Sequence, residues 1–253
     1  MYFARKVTCY VLLFLLCINA HHLFASHLIG GEMTYKYKGD SIVSLSPLKI
    51  WPKYEITLII YEDCQNGQPE AISQDNPAYF GVYEAAIPYK FYRADSVSYT
   101  SSAVLPATIA GPCGNLGINT CIMKKTFIKT YALPPSTSGY VVTYSRCCHT
   151  NGLSNITLPG GTGATYFCNI PSSGMPNNNS AVFKYYPPVE ASLKSALYIN
   201  ISATDADGDS LSYGLCSAVL GADETDIKPF PPDSPPFDTV TYVASLSATN
   251  PIH

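Results

Sequence analysis

Tyr54-Glu55-Ile56-Thr57-Leu58-Ile59-Ile60-Tyr61-Glu62-Asp63, running into Cys64-Gln65-Asn66-Gly67, is the stretch on which the fold turns. Tyr54, Ile56, Leu58 and Ile60 alternate with Glu55, Thr57, Ile59 and Tyr61. Successive strand side chains point to opposite faces, so this period of two reads as a half-buried β-strand. Asn66-Gly67 supplies the positive φ values that tight turns demand, which ends the strand. Upstream, Met33, Tyr35 and Tyr37 alternate in the same way with Thr34, Lys36 and Lys38.

Downstream, short runs of the same texture sit at 80–83, 89–92, 97–105, 126–131, 140–146, 155–158, 165–170 and 182–185, with Gly, Pro, Asn and Ser between them. Helical periodicity is nearly absent outside the first residues. Many short strands with turn spacers predict an all-β chain, an antiparallel β-sandwich. At Tyr186-Pro187-Pro188 the texture changes. Leu197, Ile199, Ile201 and Ala203 alternate, an acidic turn Asp205-Ala206-Asp207-Gly208-Asp209 comes next, and Leu211, Tyr213 and Leu215 alternate again. A Pro-rich loop at 229–236 and a strand near 239–243 complete the chain. About three strands are too few for a sandwich of about seven, so the second unit is expected to be a truncated immunoglobulin/cadherin-like domain. The expected division is a signal peptide at 1–25, a β-sandwich domain at 26–186 and the second domain at 187–253.

The signal peptide rests on Arg5 and Lys6 ahead of an apolar run at 7–18, interrupted by Asn19, His21 and His22. The run is well short of the roughly 20 residues of a membrane-spanning helix. Ala25 is the favoured residue before the cut, leaving Ser26-His27; a cut after Ala20 places bulky Ile18 where a small residue is preferred. The chain is thus expected to be exported, with no membrane span after signal removal. Neither Cys9 nor Cys17 follows the small residue that a lipid-modified cysteine requires.

Export decides how the cysteines read. Beyond the leader, Cys64, Cys113, Cys121, Cys147, Cys148, Cys168 and Cys216 are disulfide candidates in an oxidising compartment, and their odd number leaves one over. Cys147 and Cys148 adjoin on a strand candidate, which predicts different partners, while Cys113 and Cys121 flank a Gly/Asn-rich stretch and could close a small loop, although spacing alone does not fix the connectivity. A rival reading, zinc held by Cys147, Cys148 and His149, lacks paired Cys-x-x-Cys spacing.

Charged residues are 13% of the chain and its net charge is −3, which gives no long-range attraction to nucleic acid. Twenty tyrosines suit both strand interiors and contact surfaces for carbohydrate or protein. Pro159-Gly160-Gly161-Thr162-Gly163 lacks the Gly-Lys-Ser/Thr of a phosphate loop, and neither Gly-x-Ser-x-Gly nor His-Glu-x-x-His occurs. The chain is therefore read as not an enzyme. Asn155, Asn178 and Asn200 head glycosylation-type triplets. Asp205, Asp207 and Asp209 alternate oxygen ligands as hard calcium ions want them, although Gly208 and Cys216 fall off the EF-hand pattern. Calcium site and bare Asp/Gly turn are the two readings, and calcium is the only cofactor these residues suggest.

Several segments together resemble the N-terminal region of large exported Bacteroidetes surface proteins, the gliding-motility-associated proteins of the type IX secretion system. The segments are Ser26-His27-Leu28-Ile29-Gly30-Gly31-Glu32-Met33-Thr34-Tyr35, Tyr61-Glu62-Asp63-Cys64-Gln65-Asn66-Gly67, Asp75-Asn76-Pro77, Leu133-Pro134-Pro135, Arg146-Cys147-Cys148, Gly163-Ala164-Thr165-Tyr166 and the stretch from Ala203 through Asp209 to Tyr213. The resemblance implies the head of a longer chain with immunoglobulin-like or PKD-like repeats and a sorting domain. The Asp-rich stretch is similar to the hairpin of cadherin-like bacterial repeats, some of which bind calcium. The expected function is that of a non-enzymatic, extracellular or outer-membrane-associated surface module, adhesin-like, with polysaccharide or a cell-surface protein as partner. The alternative is a carbohydrate-binding module of a larger secreted hydrolase, which exposed aromatics on one face would favour.

Overall fold

The computed structural model describes residues 26–106, 109–110, 120–175, 177–186, 190–191 and 196–251. The signal peptide expected at 1–25 and Cys113 lie outside the described residues.

The elements are β1 (Leu28–Leu45), β2 (Leu48–Asp63), α1 (Pro69–Gln74), β3 (Ala78–Glu84), β4 (Lys90–Val97), β5 (Tyr99–Val104), β6 (Ile109–Ala110), β7 (Ile122–Ala132), β8 (Tyr140–Arg146), β9 (Ala164–Ile170), β10 (Val182–Phe183), β11 (Glu190–Ala191) and β12 (Ala203–Thr204). Two four-stranded antiparallel sheets, β1-β2-β7-β5 and β4-β3-β8-β9, pack face to face. The fold is all-β and sandwich-like, as the alternation predicts. Tyr54, Ile56, Leu58 and Ile60 of β2 form the core with Tyr35, Phe127 and Tyr131 of their own sheet and Phe80, Val82, Val142 and Tyr144 of the other.

The turn after β2 closes differently from the Asn-Gly expectation. The Asp63 carboxylate accepts from the backbone N–H groups of Gln65 and Asn66 at 2.9 and 2.8 Å, and its carbonyl accepts from Gly67 N–H at 2.9 Å. Glycine is needed at 67 for proximity, since a Cβ there would stand 2.1 Å from the Asp63 carbonyl oxygen. An Asx turn explains the Asp as well as the Gly.

Every residue of β8 is buried. Its inner face joins the core, and its outer face is covered by the Pro-rich chain near 218–240. Thr165 N–H donates to Val219 O at 3.2 Å, Cys147 N–H to Ile227 O at 3.0 Å, and Tyr83 Oη to Pro232 O at 2.5 Å. Phe230 packs edge-on to Tyr79, and Phe237 lies against Phe167. Prolines present carbonyls without N–H groups, so the segment can lie on a sheet face and still satisfy hydroxyl donors.

Several expected strands do not form. The candidate at 155–158 carries one bridge, Ile156 to Tyr242, and 239–243 pairs only through single bridges. Of the strand-turn-strand expected at 197–215, only Ala203–Thr204 is a strand, paired to Val182–Phe183. Leu197, Ile199 and Ile201 keep their alternation but are exposed. A strand needs a neighbour to take its backbone hydrogen bonds, and the 197–215 stretch has one at Ala203 and Thr204 only.

Candidate functional site

Short helix α1 leaves its last carbonyls without intrahelical donors. Three buried or half-buried cations take them. Arg146 Nη2 donates to Ala71 O at 3.1 Å, Lys125 Nζ to Ile72 O at 2.5 Å and Lys228 Nζ to Gln74 O at 2.5 Å, while Asn76 N–H reaches Ser73 O at 3.4 Å. Directly after the helix, Asp75 is fully buried between Arg146, whose Nε donates to Asp75 Oδ1, and His27, whose Nε2 lies 2.5 Å from Asp75 Oδ2. Glu62, also fully buried, is 2.9 Å from Lys125 Nζ. His27, Glu62 and Asp75 stand close enough together to be considered as metal ligands. Arg146 and Lys125 already hold the carboxylates, however, so the cluster is a structural ionic pin.

Its two acids titrate in opposite directions. Burial pushes Asp75 up, but its bond to His27 and the Arg146 charge outweigh this and hold it well below the usual carboxylate range. Burial and neighbouring Asp75 push Glu62 up to about 9, against the opposing pull of Lys125. Glu62 therefore takes up a proton far more readily in the folded protein than in the unfolded chain. Between the ordinary value of 4.5 and about 9 the folded state binds one more proton than the unfolded chain, so this group's contribution to stability falls as pH rises through that window. Asp75, lowered from 3.8, acts only below the window. Thermal melts of wild type and Glu62→Gln at pH 5 and pH 8.5 check this: the variant loses less stability over the interval.

The groove lies on the outer face of the first sheet. Residues 178–180 hang along the edge of β1: Ser180 N–H donates to Tyr35 O at 2.9 Å, and Tyr37 N–H to Asn179 Oδ1 at 2.8 Å. The chain then passes through β10 to Tyr186 and encloses a groove of about 400 Å³ lined by Glu32, Tyr61, Lys124, Phe183, Tyr186 and Ile201, among others. Tyr61 and Tyr186 meet edge to face at 6.1 Å. Lys124 Nζ sits 4.7 Å from the Tyr186 ring centre and donates to its Oη at 2.5 Å, while Tyr61 Oη donates to Glu32 Oε1 at 3.2 Å. Burial and Glu32 push the Tyr61 phenol up, so it stays a donor. Phe183, Tyr185 and Tyr186 remain exposed. Aromatic faces beside the Glu32 carboxylate, the Lys124 ammonium and the Asn200 amide are what a ring-shaped polyhydroxylated ligand needs.

A larger concavity of about 600 Å³ lies by Gly161, Gly163, Asp223 and Asp233. Two of its four acids are committed to turns: Asp223 Oδ1 accepts from Thr225 and Asp226 N–H, and Asp233 Oδ2 from Ala222 N–H. The aromatic groove is thus the better site.

The acidic turn supports that groove. Asp207 accepts from Asn179 N–H at 2.7 Å and from Asn179 Nδ2 at 2.8 Å, and Asp205 Oδ1 caps the N–H groups of Asp207 and Asp209 at 2.8 and 3.3 Å. The three carboxylates fall within 4.8 Å of one another. Their unshared lone pairs suit a hard cation, and the hydrogen bonds to Asn179 tie the turn to the strap formed by residues 178–186.

Among the cysteines, Cys64 is bonded to Cys121, so Cys121 does not close the small loop with Cys113 that the spacing allowed. Cys147 and Cys148 are bonded to each other, not to different partners. The alternation rule fails there because β8 ends at Arg146, so both lie beyond the strand. With both sulfurs in one bond, the thiolates of the zinc reading are gone. Cys168 is a free thiol in the core, pushed up by burial, and Cys216 is free and exposed. Among the described residues no helix is long and apolar enough to cross a membrane. Set against protein-family models, curated proteins and solved structures, the chain finds no match.

Proposed function

We propose that this is a non-enzymatic, exported, adhesin-like surface module that holds a polysaccharide in the groove between β2, β7 and the strap ending at Tyr186. The observation that carries the reading is the exposed aromatic wall of Phe183, Tyr185 and Tyr186 beside Lys124 and Glu32. Export is supported by the charged and apolar leader and by a disulfide, Cys64–Cys121, spanning two strand ends. The likeness to Bacteroidetes surface proteins points to the outer cell surface. A second reading, a carbohydrate-binding module of a larger secreted hydrolase, draws on the same aromatic wall. The two differ in readout: an adhesin makes protein-coated beads stick to polysaccharide-bearing cells, whereas the module alone binds soluble polymer without agglutination.

Calcium at Asp205, Asp207 and Asp209 belongs to the same proposal, as an ion that would stiffen the turn to which Asn179 is tied. A glycan array probed with the purified protein, with calcium and with chelator, tests all of this. Binding to a limited set of glycans is expected, reduced tenfold or more in Phe183→Ala/Tyr186→Ala and weakened by chelator. Silence across all glycans rejects the carbohydrate ligand, and indifference to chelator rejects the calcium clasp.

A further inference from the structure

The β1–β2 hairpin is longer than the sandwich that carries it. Pairing of β2 with β7 begins at Lys53↔Ala132, so residues 48–52 have β1 as their one strand partner, with a last bond from Leu133 N–H to Pro52 O at 3.0 Å, and the strap along β1 is bonded up to Tyr37. Beyond these points the ribbon overhangs with both edges open. Its register places Ile42 opposite Ile50 and Leu45 opposite Leu48, and cross-strand partners share a face. Leu48 and Ile50 are in phase with Tyr54, Ile56, Leu58 and Ile60, so the apolar face of the overhang continues the core face past the point where the opposing sheet ends. The result is four aliphatic side chains left open: Ile42 60%, Leu45 80%, Leu48 61% and Ile50 48% exposed.

The opposite face has a different chemistry. Trp51 stands opposite Ser41 and Lys49 opposite Ser44. From 36 to 53 the chain carries Lys36, Lys38, Lys49 and Lys53 against Asp40 alone, within a protein of net charge −3. Lys38 is paired to Glu55 at 3.6 Å, which leaves Lys36, Lys49 and Lys53.

A second copy is a poor occupant for two reasons. Five residues per arm and two strands present roughly 170 Å² of ribbon face by strand rise and spacing. A stable interface needs about 800 Å² from each partner. Two overhangs paired edge to edge would also set the lysines of both cationic backs side by side. An apolar face with a cationic back and a tryptophan at the boundary matches an anionic bilayer surface, where the aliphatics enter the acyl boundary, the indole lies at the headgroups and the lysines meet phosphate. We propose that the tip of the β1–β2 hairpin docks the protein on an anionic lipid surface, independently of any glycan held in the groove.

Trp51 is the only tryptophan in the chain and so reports on the site directly. The folded protein is mixed at low salt with vesicles of phosphatidylcholine containing about one third phosphatidylglycerol, and with pure phosphatidylcholine, and followed by co-sedimentation and by Trp51 emission. Binding to the anionic vesicles, a blue shift of emission and weakening by salt are expected. Leu45→Ser/Leu48→Ser reduces binding tenfold or more with unchanged melting temperature, because both residues are solvent-exposed. Lys49→Glu/Lys53→Glu removes the preference for anionic lipid. Absence of vesicle binding, or binding indifferent to Leu45→Ser/Leu48→Ser, overturns the proposal. So does concentration-dependent dimerisation abolished by that variant without vesicle binding, which assigns the face to a second copy.

Discussion

Asp75→Asn lowers the unfolding free energy by about 3 to 5 kcal/mol, the usual cost of leaving one member of a buried ion pair without its partner. Asp75 and Arg146 have fully buried side chains, and Arg146 cannot shed its charge. The asparagine still accepts one hydrogen bond from Arg146 or His27, but no longer compensates the guanidinium. A domain with a typical total of about 5 to 15 kcal/mol then keeps a small margin. Urea denaturation gives the value directly. The companion double variant Asp75→Asn/Arg146→Met loses less than the sum of its singles, because the second change removes the orphaned charge. Strict additivity would mean that the two residues are not coupled.

Removal of the Cys64–Cys121 bridge by paired serine substitution costs about 4 kcal/mol on the loop-entropy scale. The two cysteines are 57 residues apart in sequence, so the bridge restricts a long stretch of unfolded chain. It also joins the end of β2 to the approach to β7, where Cys64 N–H donates to Cys121 O at 2.9 Å. Cys147 and Cys148 are sequence neighbours, and by the same entropy argument their paired serine variant loses far less. Unfolding of both variants under non-reducing conditions separates the two bridges. Equal losses would contradict the loop argument.

The sandwich is legible in the sequence because Tyr54, Ile56, Leu58 and Ile60 carry a period of two that only a half-buried strand explains. The ionic pin is not, yet its signal lies in the same strands. Glu62 is in phase with Ile60, and Lys125 with Phe127 and Tyr131, so charges occupy core positions of alternating strands. A charge in phase with a core face demands a buried partner. The partners are hidden because they come from distant sequence: His27 lies 48 residues and Arg146 lies 71 residues from Asp75. The Cys147–Cys148 bond escapes the alternation rule for a local reason, since the end of β8 at Arg146 releases the next two residues from the strand. The acidic turn stands out in the sequence, but its hydrogen bonds to Asn179 join segments 28 residues apart and cannot be read from spacing. The aromatic groove depends on the strap at 178–186 folding back on β1, which no periodicity encodes. Alternation at 197–201 misleads for the opposite reason: the pattern is present, but the neighbouring strand is not.

The most direct measurement of the groove's role is a titration of the isotope-labelled protein with the best glycan from the array, followed by backbone and aromatic NMR. Saturable shifts concentrated at Glu32, Tyr61, Lys124, Phe183 and Tyr186, absent in Phe183→Ala/Tyr186→Ala, are the expected result. Shifts that cluster instead beside Asp223 and Asp233, or no saturable shifts with any glycan, would contradict the assignment of the groove as the polysaccharide site.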